Sequence, residues 1–220
     1  MYKTEYKKEK YNICVDNFEK TNKTNILIST YEQYLSVKDD YDIIYIDNEK
    51  EFNKINDEKC ILKLDRINEK LKNYNNKLLV SDLGSIYKYK DVDTDFSLNV
   101  TNSYSVALLH SIGVKKITLS YELNYKQIKT LIERYKERYN KHPNLEVIVE
   151  SNEEAMICKY NMLKKYNKDN AYLIDRFNNK YKIKIKNNFM YIYNYKKRRL
   201  KENYFEIGIN NIRINLESML

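Results

Sequence analysis

Residues 95–122, DFSLNVTNSYSVALLHSIGVKKITLSYE, decide the fold, because they contain a complete strand–helix–strand unit. Apolar side chains at Phe96, Leu98 and Val100 alternate with polar ones, the two-residue period of a β-strand. The same alternation returns over 115–120. The helix predicted between them is therefore a crossover between two parallel strands, right-handed by the usual chirality.

The sequence marks both ends of this predicted helix. Asn102 is a residue type that caps a first turn, and Gly113 is the expected left-handed stop. Between them Val106, Leu109 and Ile112 recur at three-residue steps, which places them along one apolar stripe. The segment therefore predicts a helix with one buried face.

Short apolar runs, each followed by a polar turn and a helix-compatible segment, repeat this plan along the chain. They are NILIST at 25–30, DIIYID at 42–47, CILKLD at 60–65, KLLVSD at 77–82, LEVIVE at 145–150 and NIRINLE at 211–217. A longer helix is predicted over 125–139. With the two strands of 95–122 there are eight, the number that closes a barrel. An open doubly wound sheet is the alternative, but no glycine-rich phosphate loop follows the first strand. We predict a small parallel (β/α)8-like barrel, complete or with a gap.

The order of the runs predicts three parts. Residues 1–24 form a polar N-terminal arm, 25–157 and 205–220 form the barrel, and 158–204 form a β-rich insert before the last strand. Three strand-like runs separated by Asn-Asn pairs predict an antiparallel meander within the insert. These runs are AYLIDRF at 171–177, KYKIKIK at 180–186 and FMYIYNY at 189–195.

The formal charge of the 220 residues is +9, which suggests a polyanion such as RNA as a partner. However, Lys, Asn, Ile and Tyr are all abundant and Gly and Pro are scarce, a pattern typical of AT-rich coding. Alternate lysines of 180–186 form one face of a strand, which we call the lysine row, and 196–199 is KKRR. The row is either a solvated face or a nucleic-acid surface. The nucleic-acid candidates are Lys182, Lys184, Lys186 and Arg198.

Cysteine usage and hydropathy suggest a reduced, cytoplasmic protein. Cys14, Cys60 and Cys158 lie far apart, so neither a disulfide framework nor a zinc site is predicted. No segment approaches the roughly twenty apolar residues of a membrane span, so no membrane association is expected. The oligomeric state stays open.

Several predicted strands carry polar residues on one alternating face, which would line the barrel interior if the apolar face meets the helices. Polar residues at the carboxyl ends of the strands would then surround one mouth, where the active sites of such barrels lie. A helix cap is the competing explanation for some of them, above all for Asn102. Glu122 and Glu150 are the catalytic candidates, as acid or base. The substrate-binding candidates are Asn99, Asn102, Ser120 and Asp82.

The stretch that opens this section, extended through Ile128, resembles a segment of the collagenase-like peptidases of family U32. In that family a strand ending in LN is followed by N-S, a helix and an S-x-E-L turn. Further blocks resemble the same family in the same order, over roughly residues 25–217. They are LLVSDLG at 78–84, LEVIVE at 145–150, YLIDRFNNKYKI at 172–183 and GINNIRINLE at 208–217.

The resemblance implies a barrel with a β insert and, if the chain is active, a U32-type peptidase, a hydrolase. Some family members instead hydroxylate RNA bases with an iron–sulfur cluster held by four cysteines. Here Asn161 stands at the apparent cysteine position, Cys158 is out of register, and the loop KKYNKDN at 164–170 has no cysteine. We therefore predict no cluster, no metal and no cofactor. The alternatives to a peptidase are a non-catalytic scaffold and an RNA-binding or RNA-modification-related protein.

Overall fold

Eight parallel strands close a barrel in the computed structural model, which describes residues 10–15, 17–68, 72–168 and 170–216. The strands of the described chain, in order, are β1 Lys23–Ile28, β2 Ile43–Ile46, β3 Cys60–Lys63, β4 Leu78–Val80, β5 Val92–Thr94, β6 Lys116–Thr118, β7 Leu145–Ser151, β8 Glu154–Cys158, β9 Asn170–Ile174, β10 Lys180–Lys186, β11 Phe189–Asn194, β12 Arg198–Arg199 and β13 Asn211–Asn215. The barrel consists of β1 to β7 in sequence, and β13 pairs with both β7 and β1 to close it. The predicted barrel is confirmed.

Helices connect most of the barrel strands on the outside. They are α1 Tyr31–Val37, α2 Glu49–Phe52, α3 Leu83–Lys88, α4 Ser103–Ser111 and α5 Tyr125–Tyr139. As predicted, the Asn102 side chain caps α4, and Gly113 follows the helix at φ +93°. Asn124 and Gln127 form a capping box at the start of α5. These short polar signals therefore place the helix ends where the sequence predicts them.

The strand predicted over 96–101 is wrong, because β5 lies a few residues earlier, at Val92–Thr94. The Asp95 carboxylate accepts a hydrogen bond from the Phe96 N–H at 2.9 Å, and a 3-10 turn follows over Phe96–Leu98. Asn99 then takes a left-handed conformation with φ 51°, which asparagine tolerates better than most residues. Asn99 consequently lies in a loop beyond the barrel strand. The parallel pairing of β5 with β6 still preserves the predicted crossover.

The two faces of the barrel strands differ in chemistry, as their alternation predicts. The outward face is aliphatic and packs on the helices, with Ile117 and Leu145 buried against Val106 of α4 and Ile128 of α5 in one core cluster. Burying a side chain of this size contributes about 1.5–3 kcal/mol, so this layer dominates the hydrophobic stabilisation. The inward face contains a small apolar cluster of Leu27, Tyr45, Ile61 and Leu79, and is otherwise polar.

A second, antiparallel sheet lies between β7 and β13 in the sequence, with the strand order β8, β11, β10, β9. The predicted meander is confirmed, and the residues at its turns adopt left-handed conformations at Asn178, Asn187 and Asn188. One face of this sheet buries Ile183, Met190 and other apolar side chains. Its first strand, β8, begins at Glu154, within the range that the sequence suggests for the barrel. We call 154–194 the β insert.

Within the described part of the chain, no helix combines the length and the apolar character that crossing a membrane requires. Residues 1–9 and Asp16 of the predicted arm, and residues 217–220, lie outside the described residues.

Candidate functional site at the barrel mouth

A buried arginine is at the centre of the barrel interior. Arg213 on β13 is 0 % exposed, and its guanidinium forms ion pairs with Asp95, which follows β5, and with Glu146 of β7. The Nη1–Oε2 distance to Glu146 is 3.0 Å. Burial alone raises the pKa of the Asp95 carboxyl, but Arg213 and Lys63 outweigh burial and hold it below its ordinary value. Asp95 and Arg213 are therefore both charged inside the barrel.

The Glu146 carboxylate accepts hydrogen bonds from side chains of several strands. Its carboxylate accepts from Asn25 Nδ2 at 2.7 Å, from Thr118 Oγ1 at 2.8 Å and from the Tyr45 hydroxyl at 3.3 Å. Burial opposes ionisation of Glu146, but Arg213 and its other neighbours hold its pKa below the ordinary value. A buried carboxylate whose acceptor positions are filled in this way is held rigidly as an anion.

The ion pairs continue in both directions and form an alternating chain of charges through the barrel. Beyond Glu146, Lys116 lies 3.7 Å from that carboxylate and 3.3 Å from Asp93, which Lys77 approaches at 3.1 Å. In the other direction, Asp95 lies 3.6 Å from the ammonium of Lys63. Lys63 is the last residue of β3, so this chain of charges, which we call the buried ion chain, reaches the mouth. The interior is thus packed with paired charges.

The β insert contacts the mouth through a clasp made by Lys186 at the end of β10. Its ammonium lies 3.2 Å from Asp47 Oδ2, beyond β2, and 2.8 Å from Asp65 Oδ1, beyond β3. The neighbouring Asn187 side chain also donates to Asp65. Burial lowers the pKa of Lys186, but the two carboxylates more than offset burial and raise it above the ordinary value. The end of the lysine row therefore faces the barrel mouth, so the row is not a solvated face at this residue.

Replacing Lys186 by methionine is expected to loosen the insert from the mouth. The change removes a half-buried ammonium and leaves Asp47 and Asp65 without it, at a cost of about 1.5–3 kcal/mol. Hydrogen–deuterium exchange of the β10 and β11 amides should speed up relative to the barrel strands. Lys164→Met, which changes an exposed lysine of the same insert, is the control. Equal exchange in both variants would mean that the clasp does not hold the insert.

Beside the clasp, an open groove of about 460 Å³ separates the insert from the loops after β5 and β6. We call it the mouth groove. Phe96 and Tyr121 form its aromatic floor, with ring centroids 4.5 Å apart. Arg198 crosses one side, donating to Glu153 at 2.8 Å and to the Tyr121 carbonyl at 2.7 Å. The groove is lined by Arg66, Phe96, Ser97, Asn99, Ser120, Tyr121, Glu122, Glu153, Glu154 and Asn194.

Three of the predicted site residues meet in the mouth groove: Asn99, Ser120 and Glu122. The backbone N–H of Glu122 donates to Ser120 Oγ at 3.3 Å, which fixes the turn after β6. Glu122 is exposed, and its carboxylate forms no ion pair or hydrogen bond with any of the described residues. It is therefore free to meet a ligand.

The carboxylates of Glu153 and Glu154 also border the groove, and the sequence interpretation missed both. Glu154 forms an ion pair with Arg66, and Glu153 one with Arg198. Burial raises the pKa of Glu154, and Arg66 opposes that rise only in part. A proton is therefore held more tightly on Glu154 than on an exposed carboxyl. The polar stretch after β7 was a signal for these residues, but their strand was not predicted.

Glu150, the second catalytic candidate, lies on the outward face of β7. A bulge between β7 and β13 brings Glu150 into register with Ile214, whose side chain packs in the outer apolar cluster. Strict alternation in LEVIVE predicts that Glu150 faces inward as Glu146 does, and the bulge makes this wrong for Glu150. Its carboxylate pairs with Lys197 and, at 3.1 Å, with Arg199. Glu150 does not line the mouth groove.

Asp82 and Asn102 cap helices. The Asp82 carboxylate accepts from the Ser85 N–H at 2.9 Å at the start of α3, and the Asn102 side chain accepts from the Ser105 N–H at 2.9 Å at the start of α4. Neither residue is among those lining the groove. A role in substrate binding stays a prediction for both.

The rest of the lysine row has mixed surroundings. At its other end, the Lys180 ammonium lies 4.0 Å from the Tyr172 ring centroid and 4.4 Å from that of Tyr195. Burial, followed by the nearby Lys184 charge, lowers the pKa of Lys182. Nucleic-acid binding through Lys182, Lys184, Lys186 and Arg198 stays a prediction.

The three cysteines do not fit the four-thiolate cluster that the family resemblance implies. Cys60 begins β3 at the end opposite the mouth, Cys158 ends β8, and Cys14 is exposed before β1. Burial raises the pKa of the Cys60 thiol to about 12, which keeps it protonated. No group of three or more metal-ligating side chains occurs among the described residues.

Comparisons with known proteins point to one family. The model of Peptidase family U32 matches residues 51–203, more than half of the chain. A search of curated proteins and a search of solved structures found no match. The matched range contains every residue that lines the mouth groove, and the whole β insert.

Proposed function

Because the chain belongs to peptidase family U32, we propose that it binds peptides in the mouth groove. The observation that carries this proposal is the exposed carboxylate of Glu122, which forms no ion pair within the described part of the chain and lines the same groove as the Phe96–Tyr121 aromatic floor. The groove lies at the carboxyl ends of the barrel strands, where ligands of such barrels bind.

The lining of the groove matches the chemistry of a peptide. The side-chain amides of Asn99 and Asn194 both donate and accept hydrogen bonds, as a peptide backbone requires. The aromatic floor supplies apolar contact area for a side chain. Glu122 supplies a negative charge for an ammonium group, either at the peptide N-terminus or on a lysine.

Cleavage of the bound peptide is a second candidate function, and Glu154 favours it. Burial raises the pKa of Glu154, as in the general acid of a two-carboxylate site, and a second carboxylate, Glu122, lies in the same groove. On the other hand, Glu154 is held in an ion pair with Arg66, and the lining contains neither a cysteine nor a histidine. Binding is thus the function that the geometry supports best.

Retention of peptides by the immobilised protein tests the proposal. From an equimolar pool of synthetic tripeptides, read by mass spectrometry, the wild-type protein should retain a subset, and Glu122→Gln should lower that retention about tenfold, since hydrogen bonds to charged groups contribute about 1.5–3 kcal/mol. Glu133→Gln, on the exposed face of α5, is the matched control and should retain as much as wild type. No retention by the wild-type protein would overturn the proposal.

Incubation of the same tripeptide pool with the protein distinguishes binding from cleavage. Shortened peptides that form with wild type and not with Glu154→Gln would establish the peptidase alternative. An unchanged pool after prolonged incubation, together with retention, is the result that we expect.

A further inference from the structure

A small chamber adjoins the mouth groove beneath the β insert. The chamber has a volume of about 30 Å³, which suits a group of a few atoms. Arg66, Phe96, Tyr121 and Glu154 line both spaces, so the chamber lies directly beside the groove. Lys184 and Lys186 of the lysine row line the chamber on the side of the β insert.

Most charges around the chamber already have partners of opposite sign. Lys186 is held by the clasp, Lys63 lies near Asp95, and Arg66 pairs with Glu154. Lys184 differs, because this half-buried residue forms no ion pair or hydrogen bond through its ammonium within the described part of the chain. Within the described residues, Lys184 in the chamber and Glu122 in the groove are thus side chains of opposite formal charge without an ion-pair partner.

We propose that Lys184 binds the C-terminal carboxylate of a peptide whose remainder lies in the mouth groove. This inference rests on the proposed function and assigns the direction of the bound chain: its C-terminus enters the chamber, and its N-terminal side runs over the aromatic floor towards Glu122. A carboxylate on an ammonium forms a charge-assisted hydrogen bond, which is stronger where water is excluded.

The size of the chamber favours a chain end over the middle of a polymer. The chamber also borders the clasp, where Lys186 lies between Asp47 and Asp65. A terminal carboxylate is a small group that fits a space of this size. An RNA strand carries each phosphate between two sugars, and a space of about 30 Å³ does not accommodate these neighbours.

Tripeptide pools made as free acids and as C-terminal amides test the inference. Wild type should retain the acids about tenfold better than the amides. Lys184→Met should abolish this preference while still retaining peptides at the amide level, and Lys184→Arg should keep it. Lys180→Met, on the same face of the same strand, is the matched control and should behave as wild type.

The outcomes separate this inference from the proposed function. Equal retention of acids and amides by wild type, or a preference that survives in Lys184→Met, would overturn the role of Lys184 and leave peptide binding intact. Preferred retention of the peptide amides that contain an aspartate or a glutamate would show that side-chain carboxylates are recognised. That result would also overturn the role of Lys184 as the binder of a C-terminal carboxylate. Retention of neither pool would remove the proposed function itself.

Discussion

Arg213→Met is expected to destabilise the protein by about 3–5 kcal/mol, a large part of the 5–15 kcal/mol typical of a whole domain. The methionine fills a similar volume, but Asp95 and Glu146 lose the guanidinium that compensates them inside the barrel. Urea unfolding followed by circular dichroism measures the difference. Arg134→Met, which removes an exposed ion pair with Glu137, should cost less than about 1 kcal/mol.

If Arg213→Met does not fold, Glu146→Gln provides a second test of the contribution of the buried ion chain to stability. In that variant Arg213 retains Asp95 and Lys116 retains Asp93, so no buried charge is left without an opposite one. We therefore expect a smaller loss than for Arg213→Met. If both variants unfold at the urea concentration of wild type, the buried ion chain contributes nothing to stability.

The protein is expected to lose stability between about pH 6.5 and pH 4 because of His110. This side chain is buried in α4, and burial lowers its pKa from 6.5 to about 4, while its hydrogen bond to the Val114 carbonyl at 2.7 Å opposes the shift only in part. Since its folded-state pKa is depressed, the unfolded chain takes up the proton first as the pH falls. The contribution is fully present above pH 6.5, and at most about 3 kcal/mol is lost by pH 4.

A comparison of two variants isolates this effect from the rest of the acid response. The groups around His110 are the rings of Phe18 and Tyr135 and the charge of Lys141, which further disfavours a second cation. His110→Gln should flatten the dependence of unfolding free energy on pH between 4 and 6.5. His142→Gln, whose histidine is half-buried, should flatten it less. Identical pH profiles for wild type and His110→Gln would contradict this account of His110.

The alternation of apolar and polar residues was sufficient to predict the barrel and its polar interior. It failed at 96–101, where the pattern is equally regular but the Asp95 carboxylate accepts a hydrogen bond from the Phe96 N–H and a 3-10 helix begins. The true strand, β5, has only three residues. Its central Asp93 is stable inside the barrel because Lys77, just before β4, and Lys116 of β6 form ion pairs with it. Ion-pair partners of this kind are remote in the sequence, so they can be identified only when the pairing of the strands is known.

The position of the site residues could be predicted from the sequence for the loop after β6, but much less well for the other loops. Ser120 and Glu122 follow a regular strand, so their place at the mouth could be derived from the alternation. The bulge that turns Glu150 outward leaves no trace in the pattern of LEVIVE. The clasp was also hidden, because a row of lysines does not reveal that the carboxylates of Asp47 and Asp65 lie opposite its last member.

Hydrogen–deuterium exchange with and without a saturating retained tripeptide tests most directly whether the mouth groove is the binding site. The account predicts slower exchange of the backbone amides of 96–99 and 120–123 on addition of the peptide, with little change in α5. Protection confined to regions away from the mouth, or none at saturation, would contradict it.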